Sequence, residues 1–172
     1  MEQTRIIHTI DPVYDEFSRV LLLGTMPSPK SREAGFFYGH PQNRMWPVLG
    51  RIFGEETPVG TEARRDFLLR HHIAMWDVLS SCVITGAEDS SIREPVPNDL
   101  RPILERAPIA AIFTTGKTAF RLYKKHIQPV TGREARCLPS TSPANCRFET
   151  LDTLTEAYRV LLDYMPTARQ GR

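Results

Sequence analysis

Residues 24–47 contain several side chains that could bind a ligand and do chemistry on it. The segment holds three consecutive aromatics between two glycines, followed by an imidazole, an amide and a guanidinium: Phe36, Phe37, Tyr38, His40, Asn43 and Arg44. An aromatic face can stack on a flat heterocycle, and an amide can hold water by hydrogen bonds. Because this composition is unusual for a passive linker, we predict that the segment is an active-site loop.

A buried strand leads into this loop. The apolar run at residues 20–23 enters a Gly/Pro turn, a pattern typical of a strand that is buried on both faces. The next helix signal comes only about twenty residues later, and loops of that length in compact domains are usually functional. We therefore predict an irregular segment between this strand and a helix at residues 44–53.

Strands and helices alternate along the rest of the chain. Strands are predicted at residues 20–23, 73–79, 109–113 and 135–138, and helices at 44–53, 62–71 (with Thr61 as its N-cap), 98–106, 117–126 and 151–165. This alternation predicts an α/β fold, a three-layer α/β/α sandwich around a four-stranded, mainly parallel sheet. We expect one domain over residues 1–172, with an N-terminal arm at 1–19, a second long loop at 85–98 and a frayed tail at 166–172.

The predicted sheet brings separate segments of the chain together. Ligands of open α/β sheets bind beyond the carboxyl ends of the strands. The residues that follow the predicted strands should therefore meet on one rim, and they include Gly24, Thr25, Met26, Asp77, Thr115, Gly116, Leu138, Pro139 and Ser140.

Charge and cysteine content exclude several classes of protein. The net charge is +2 and the sequence pI about 8.5, so nucleic-acid binding would depend on a local basic face. The three cysteines form no C-x-x-C pair, which predicts neither a metal or iron–sulfur site nor a disulfide framework, and we expect no cofactor. The sequence has no signal-peptide pattern and no apolar run of membrane-spanning length. We expect a soluble, cytoplasmic protein that does not contact a membrane.

Three stretches of the chain resemble motifs of a known family. They are Gly-Thr-Met-Pro-Ser at residues 24–28 with Phe-Tyr-Gly-His-Pro-Gln-Asn-Arg-Met-Trp at 37–46, Trp-Asp-Val-Leu-Ser-Ser-Cys at 76–82, and Leu-Pro-Ser-Thr-Ser-Pro-Ala-Asn at 138–145. Together they resemble the uracil-DNA glycosylase superfamily, and within it the hypoxanthine-DNA (deoxyinosine) glycosylase branch. The resemblance extends from about residue 20 to the last helix.

The resemblance implies that Asn43 holds the water molecule that attacks the sugar C1′. Other branches place an Asp or Asn two residues after the glycine of the first motif, where this chain has Met26. A thioether cannot orient water as those groups do. The hypoxanthine branch instead uses the Asn of its His-Pro-Gln-Asn segment, which is Asn43 here. The sequence alone leaves a second role open, because Asn43 also stands where a helix N-cap is expected.

The same resemblance implies a pocket for a base that is flipped out of the duplex. The residues expected to contact the base are Tyr38, Phe37, Gly24, Thr25, Met26 and Asp77. Tyr38 would stack on the base, with Phe36 and Phe37 as alternatives. Asp77 stands where the uracil branch has an Asn that recognises uracil, and its carboxylate could accept an N–H from a deaminated base. A capping or salt-bridge role for Asp77 is the alternative.

The third stretch resembles a superfamily loop that presses on the DNA backbone. DNA contacts are expected from Arg44, Lys117, Pro139, Ser140, Thr141 and Ser142, with Arg133 and Arg136 extending the basic face. A Pro/Ser turn without function is the alternative for residues 138–143. Leu138 replaces a His or Asn that stabilises the leaving base in several branches, so we expect weaker action on uracil than in the strongest branch.

The resemblance therefore implies a monofunctional DNA glycosylase of base excision repair. It would hydrolyse the N-glycosidic bond of hypoxanthine, and of uracil or xanthine, in DNA and leave an abasic site, acting as a monomer. No lysine of the motifs is placed as an imine-forming nucleophile. The alternatives are a uracil-preferring member of the superfamily, a non-catalytic nucleic-acid-binding module on this fold, and a small-molecule nucleotide binder.

Overall fold

The computed structural model describes residues 3–86 and 89–166, which contain two β-sheets. The strands are β1 (Gln3–Ile7), β2 (Val20–Gly24), β3 (Ile73–Asp77), β4 (Leu79–Thr85), β5 (Arg93–Pro97), β6 (Ala111–Thr115) and β7 (Ala135–Leu138). The central sheet has the order β3-β2-β6-β7 and is parallel throughout. A second, antiparallel sheet has the order β1-β4-β5.

Helices cover both faces of the central sheet. The α-helices are α1 (Pro29–Ala34), α2 (Met45–Phe53), α3 (Thr61–Arg70), α4 (Arg101–Arg106), α5 (Lys117–Leu122), α6 (Gln128–Thr131) and α7 (Leu151–Tyr158). A π-helical turn, Tyr123–Ile127, joins α5 to α6, and 3₁₀ turns occur at Asp89–Ser91, Pro143–Asn145 and Arg159–Tyr164. The predicted α/β/α sandwich around a four-stranded parallel sheet is confirmed.

Strand β2 lies in the middle of the sheet and separates two apolar cores. Val20 and Leu22 pack with α2, α3 and α7 on one face, whereas Leu21 and Leu23 pack with α4, α5 and β4 on the other. All four side chains are fully buried. A strand with two buried faces needs a continuous apolar run. For this reason β2 could be predicted from residues 20–23.

The second sheet was not predicted. The prediction of a loop at residues 85–98 is partly wrong, since β5 lies within these residues. Pro95 and Pro97 argue against a strand, but β5 is an edge strand, where a missing N–H is tolerated. The strand predicted at 73–79 ends at Asp77, and the chain passes into the second sheet at Val78. The N-terminal arm contributes β1 to this sheet.

Several helix boundaries also differ from prediction. The segment predicted as irregular contains α1, with Ser28 as its N-cap and Gly35 at its C-terminal end in the left-handed region. Gly60, rather than Thr61, is the N-cap of α3. Helix α4 begins at Arg101, three residues later than predicted, and the Asn98 side chain instead donates to the carbonyl oxygens of Asp77 and Leu79. The predicted frayed tail lies outside the described residues, apart from residue 166.

Candidate active site

A cavity of about 490 Å³ opens at the carboxyl ends of β2, β3 and β6, a volume in the range of small-molecule sites. Most of the predicted site residues line it: Gly24, Thr25, Met26, Phe37, Tyr38, Asn43, Asp77, Ser140, Thr141 and Ser142. Among the predicted DNA contacts, Arg44, Lys117 and Pro139 do not line it. Residues that were expected to meet on one rim of the parallel sheet therefore line a cavity.

The end of β2 lies close against the end of β3. After Asp77, the next two N–H groups still bond to the carbonyl oxygens of Gly24 and Thr25, at 2.7 and 3.1 Å. A Cβ added at Gly24 would lie 2.5 Å from Asp77 Oδ1 and 3.1 Å from the Tyr38 hydroxyl. Residue 24 must therefore lack a side chain, because the Asp77 carboxylate and the Tyr38 phenol occupy the space next to its backbone at one wall of the cavity.

We expect Gly24→Ala to disrupt this wall. The added methyl must displace Asp77 or Tyr38, and overpacking of a well-packed region typically costs about 1–3 kcal/mol. Base release should fall at least roughly tenfold while the far-ultraviolet circular dichroism spectrum is retained, a scale set by loss of oriented catalytic groups. A thermal unfolding curve and a single-turnover assay measure the two effects. Unchanged base release would show that this close approach does not matter for activity.

Tyr38 is held in a fixed orientation at the cavity. Its backbone has φ +51°, in the left-handed region, its hydroxyl lies 2.9 Å from Thr115 Oγ1, and Trp46 Nε1–H donates to its carbonyl oxygen. Burial, followed by the charge of Asp77, raises the pKa of Tyr38 well above its ordinary value. The phenol therefore stays neutral and can serve as a stacking face or a hydrogen-bond partner.

The two phenylalanines before Tyr38 belong to the apolar core. Phe36 and Phe37 are 1% and 2% exposed, and Phe36 stacks on Trp46 with ring centroids 6.0 Å apart. Phe37 reaches the cavity wall, whereas Phe36 does not. Of the three aromatics, Phe36 is thus a packing residue, and Tyr38 and Phe37 remain candidates for contact with a ligand.

Asp77 is buried and paired with a residue that the sequence did not suggest. Its side chain is 6% exposed, and His8 Nε2, on a side chain 2% exposed, lies 2.8 Å from Oδ2. His8 comes from the N-terminal arm, so no local pattern connects it with β3. A contact of this kind, between residues far apart in the chain, leaves no signal in one sequence.

The Asn43 side chain contacts the first turn of α2 and also lines the cavity, although Arg44 rather than Asn43 occupies the N-cap position of α2. Its Oδ1 accepts the N–H of Met45 at 2.9 Å, in the first turn of α2, and the hydroxyl of Thr141 at 2.8 Å. The amide oxygen therefore has both lone pairs occupied. In the described part of the chain Nδ2 has no protein partner, and Asn43 lines the cavity. The capping-type contact holds the oxygen and leaves the NH₂ group available to a ligand.

Arg44, a predicted DNA contact, bonds to the backbone of its own chain. Its guanidinium donates to the backbone carbonyl oxygens of Ser142, at 3.0 Å, and of Glu149, and its N–H donates to Thr141 O at 3.1 Å. These bonds tie the loop after β7 to the start of α2. A DNA contact by Arg44 remains a prediction, and it would have to be made beside these bonds.

The loop after β7 is otherwise built from its own short polar side chains. Ser140 Oγ accepts the N–H of Ser142 at 3.1 Å, and Ser142 Oγ accepts that of Ala144 at 3.2 Å. Pro139 O accepts the Tyr158 hydroxyl at 2.7 Å, so Pro139 lies against α7. Lys117 is exposed at the start of α5, directly after Gly116, whose N–H bonds to Leu138 O.

Thr115 and Asp89 are among the cavity residues that were not assigned to the site. Thr115 was expected on the rim, and its hydroxyl lies within hydrogen-bond distance of that of Tyr38. Asp89 lies in the segment predicted as a loop and forms part of a 3₁₀ turn. Burial raises the pKa of Asp89, a hydrogen bond from Thr25 opposes this, and the charge of Asp77 adds to it. The cavity is thus acidic on one side.

Most of the chain matches the sequence model of one protein family. A model of the family described as "Uracil DNA glycosylase superfamily" matches residues 12–162. The chain belongs to the uracil DNA glycosylase superfamily. This confirms the resemblance seen in the three sequence motifs, and it makes the protein a DNA glycosylase.

Individual members of the superfamily are similar over most of their length. Proteins named hypoxanthine DNA glycosylase from Methanosarcina barkeri and Methanosarcina acetivorans are each 33% identical over 138 residues, covering 79% of this chain and 86% of theirs. The solution NMR structure of a candidate uracil DNA glycosylase from Methanosarcina acetivorans has a TM-score of 0.77 at 29% identity. That match covers 92% of this chain and 99% of the other.

In the described ranges, residues 3–86 and 89–166, no group of three or more His, Cys, Asp or Glu side chains could hold a metal ion. Likewise, none of the helices found there is long and apolar enough to cross a membrane.

Proposed function

We propose that this glycosylase hydrolyses the N-glycosidic bond of hypoxanthine, and secondarily of uracil or xanthine, in DNA and leaves an abasic site. The observation that carries the proposal is that one cavity holds a buried carboxylate, Asp77, an aromatic ring, Tyr38, and an amide, Asn43. The two relatives named hypoxanthine DNA glycosylase support hypoxanthine as the first substrate.

The base would be recognised by stacking and by an acceptor. Tyr38 offers its ring to the face of the flipped base, with Phe37 closing the wall behind it. Asp77 Oδ1, the oxygen that does not contact His8, points toward Gly24 at the cavity wall. An ionised carboxylate accepts but does not donate, so it suits a base edge that carries an N–H.

Asn43 would position the attacking water. Its oxygen is held by Met45 and Thr141, which fixes the plane of the amide. The free Nδ2 can then donate to the water oxygen and hold it against C1′ as positive charge develops on the sugar. Positioning of this kind contributes by removing the freedom of the reactants before the chemical step.

A monofunctional mechanism requires that no lysine forms an imine with the sugar. Lys30 lines the cavity, but its side chain is 57% exposed and lies 3.7 Å from Glu33. It is therefore a hydrated ammonium, whereas imine-forming lysines are desolvated or placed beside another cation. Borohydride should trap no covalent complex with DNA, and the product strand should break only after alkali. Trapping that disappears in Lys30→Ala would contradict the monofunctional assignment.

One assay separates the proposed function from its alternatives. Equal amounts of enzyme are incubated with duplexes containing a single inosine, uracil or xanthine, and abasic sites are then cleaved with alkali. We expect fastest cleavage at inosine. Faster cleavage at uracil would favour a uracil-preferring enzyme, which remains within the superfamily. Duplex binding without any base release would favour a non-catalytic module, and binding of free nucleotides alone would favour a nucleotide binder.

DNA affinity should depend on local positive charge, since the net charge is only +2. Ser140 and Ser142 offer hydroxyl and N–H groups to phosphates, and Lys117 offers an exposed ammonium near them. We expect log affinity to fall with log salt by roughly 0.9 per phosphate neutralised. Lys117→Ala should reduce this slope by about one, whereas Lys125→Ala, farther along the same helical segment, should not. A salt-independent affinity would contradict the DNA-binding surface.

The remaining expectations concern where and in what form the protein acts. We propose that it acts in the cytoplasm, with access to chromosomal DNA, because DNA is the substrate of the superfamily to which the chain belongs. The single domain and the monomeric state also remain predictions.

A further inference from the structure

The N-terminal arm reaches the base-binding wall through one side chain. His8 Nε2 contacts Asp77 Oδ2 at 2.8 Å, and both side chains are almost fully buried. The superfamily match begins at residue 12, so this contact is made by a part of the chain outside the matched residues. A buried carboxylate with one hydrogen-bond partner is a strong constraint, because removal of the partner leaves the charge without compensation.

The arm is fixed in this place by several independent contacts. The N–H of His8 donates to Ser80 O at 2.7 Å, and Trp76 Nε1–H donates to Ile10 O at 3.0 Å. The His8 ring also packs edge-on to Trp76, with centroids 6.0 Å apart, and tilted against Phe37 at 6.3 Å. The imidazole is thus held between β3 and the active-site loop.

The hydrogen bonds of His8 also assign its tautomer. The N–H of Ile10 donates to Nδ1 at 3.2 Å, so Nδ1 must be an acceptor and carries no proton. The ring proton is therefore on Nε2, which donates it to Asp77 Oδ2. In this arrangement Oδ2 is used by the arm, and Oδ1 remains the free acceptor at the cavity wall.

We propose that His8 is a positioning residue for substrate specificity: its Nε2–H holds the Asp77 carboxylate in one orientation, so that Oδ1 faces the base as an acceptor. The proposal rests on the proposed recognition of the base by Asp77. Other ionisable groups whose charge interacts with Asp77 are Tyr38 and Asp89. The Tyr38 hydroxyl is hydrogen-bonded to Thr115 Oγ1, whereas His8 makes the hydrogen bond to Asp77.

The consequence of losing this donor follows from geometry. Without the Nε2–H, the hydrogen bond that fixes Oδ2 is lost, and the carboxylate can turn about its Cβ–Cγ bond. Oδ1 is then no longer held at the cavity wall, and the wall distinguishes less sharply between a base edge with an N–H and one with a bare nitrogen.

The test compares His8→Phe, which keeps a ring of similar size, with His8→Gln, whose amide can place an N–H near the position of Nε2. In His8→Phe, single-turnover release from an inosine duplex should be at least roughly tenfold slower than in the wild type, because the acceptor is no longer oriented. Competition by an adenine duplex should become stronger in the same variant. His8→Gln should restore most of the rate and of the preference for inosine over adenine.

Two controls make the outcome specific. His126→Phe changes an imidazole that does not line the cavity, and it should leave the rate and the base preference unchanged. In an Asp77→Ala background, which has no carboxylate to orient, His8→Phe should have little further effect on release from inosine, since His8 acts through Asp77. Thermal unfolding of each variant shows whether it is folded at the assay temperature, and His8→Gln provides the folded comparison where His8→Phe is not.

The possible results separate the two proposals. A wild-type enzyme that releases no deaminated base contradicts the proposed function. An active wild type, with His8→Phe matching it in rate and base preference, overturns only the role of His8. A His8→Gln variant that is folded but as defective as His8→Phe in both measurements would also overturn it, because the donor would then not be the property that matters.

Discussion

Replacing Asn43 with alanine is expected to lower base release by at least roughly 100-fold, the lower range for a positioned catalytic group. The reason is that Asn43 offers the cavity a free Nδ2 while its oxygen is fixed by Met45 and Thr141. Alanine removes the group that would hold the attacking water. Single-turnover release from an inosine duplex measures the rate, and duplex affinity, measured separately, should change little.

A matched variant separates catalysis from the contact with α2. Loss of the acceptor for the Met45 N–H should cost about 0.5–2 kcal/mol of stability, as for an N-cap. Asn43→Ser keeps a short oxygen that can accept this N–H, so it should recover stability without recovering activity. If Asn43→Ala were as active as the wild type, or if Asn43→Ser were fully active, the water would be positioned by another group.

The parallel sheet and most of the cavity were predictable because they follow from local patterns. A continuous apolar run such as that at residues 20–23 is typical of a strand buried on both faces, and β2 is such a strand. Once the sheet is parallel, the carboxyl ends of its strands meet at one edge. Gly24, Asp77 and Ser140 then lie near one another, although they are far apart in the sequence.

The missed features depend on contacts between distant segments. His8 meets Asp77 only because β1 pairs with β4 and brings the arm alongside β3. Arginine is a residue type that often binds phosphate. Only the folded loop shows that the guanidinium of Arg44 donates to the carbonyl oxygens of Ser142 and Glu149. A single sequence carries the identity of such side chains but not the identity of their partners.

Other misses have local causes. Helix α1 has a Ser28 cap, a proline in its first turn and Gly35 at its end, but it is only six residues long. Such a short helix is not stable by itself and depends on packing, which sequence patterns do not report. Strand β5 was hidden by its prolines, whose cost depends on whether the strand lies at an edge.

The second large effect is expected from Asp77→Asn, which should invert the hydrogen-bonding character of the base-binding wall. His8 Nε2 is a fixed donor because Ile10 holds Nδ1, so the new amide must turn its oxygen toward His8. Its NH₂ group then faces the cavity in place of Oδ1. Hypoxanthine carries a hydrogen on N1, and uracil one on N3, so each would meet donor against donor. Adenine has a bare N1 that this amide can donate to.

We therefore expect Asp77→Asn to lose inosine release by roughly 100-fold or more, since a site built to hydrogen-bond its substrate rejects a mismatched partner strongly. The same variant should bind an adenine-containing duplex more tightly than the wild type does. Asp77→Ala should also lose inosine release, but without the gain toward adenine, because alanine offers neither a donor nor an acceptor. Competition by adenine duplexes against a labelled inosine duplex measures the preference.

The comparison of the two variants decides between recognition and support. A structural Asp77 would serve only to partner His8, and asparagine, which still accepts from Nε2, would then behave much like the wild type while alanine would lose stability. If Asp77 recognises the base, the Asp77→Asn variant should be folded but should prefer adenine over hypoxanthine. If both variants release hypoxanthine at the wild-type rate and still discriminate against adenine, Asp77 does not contact the base, and the acceptor must be sought among the other groups that line the cavity.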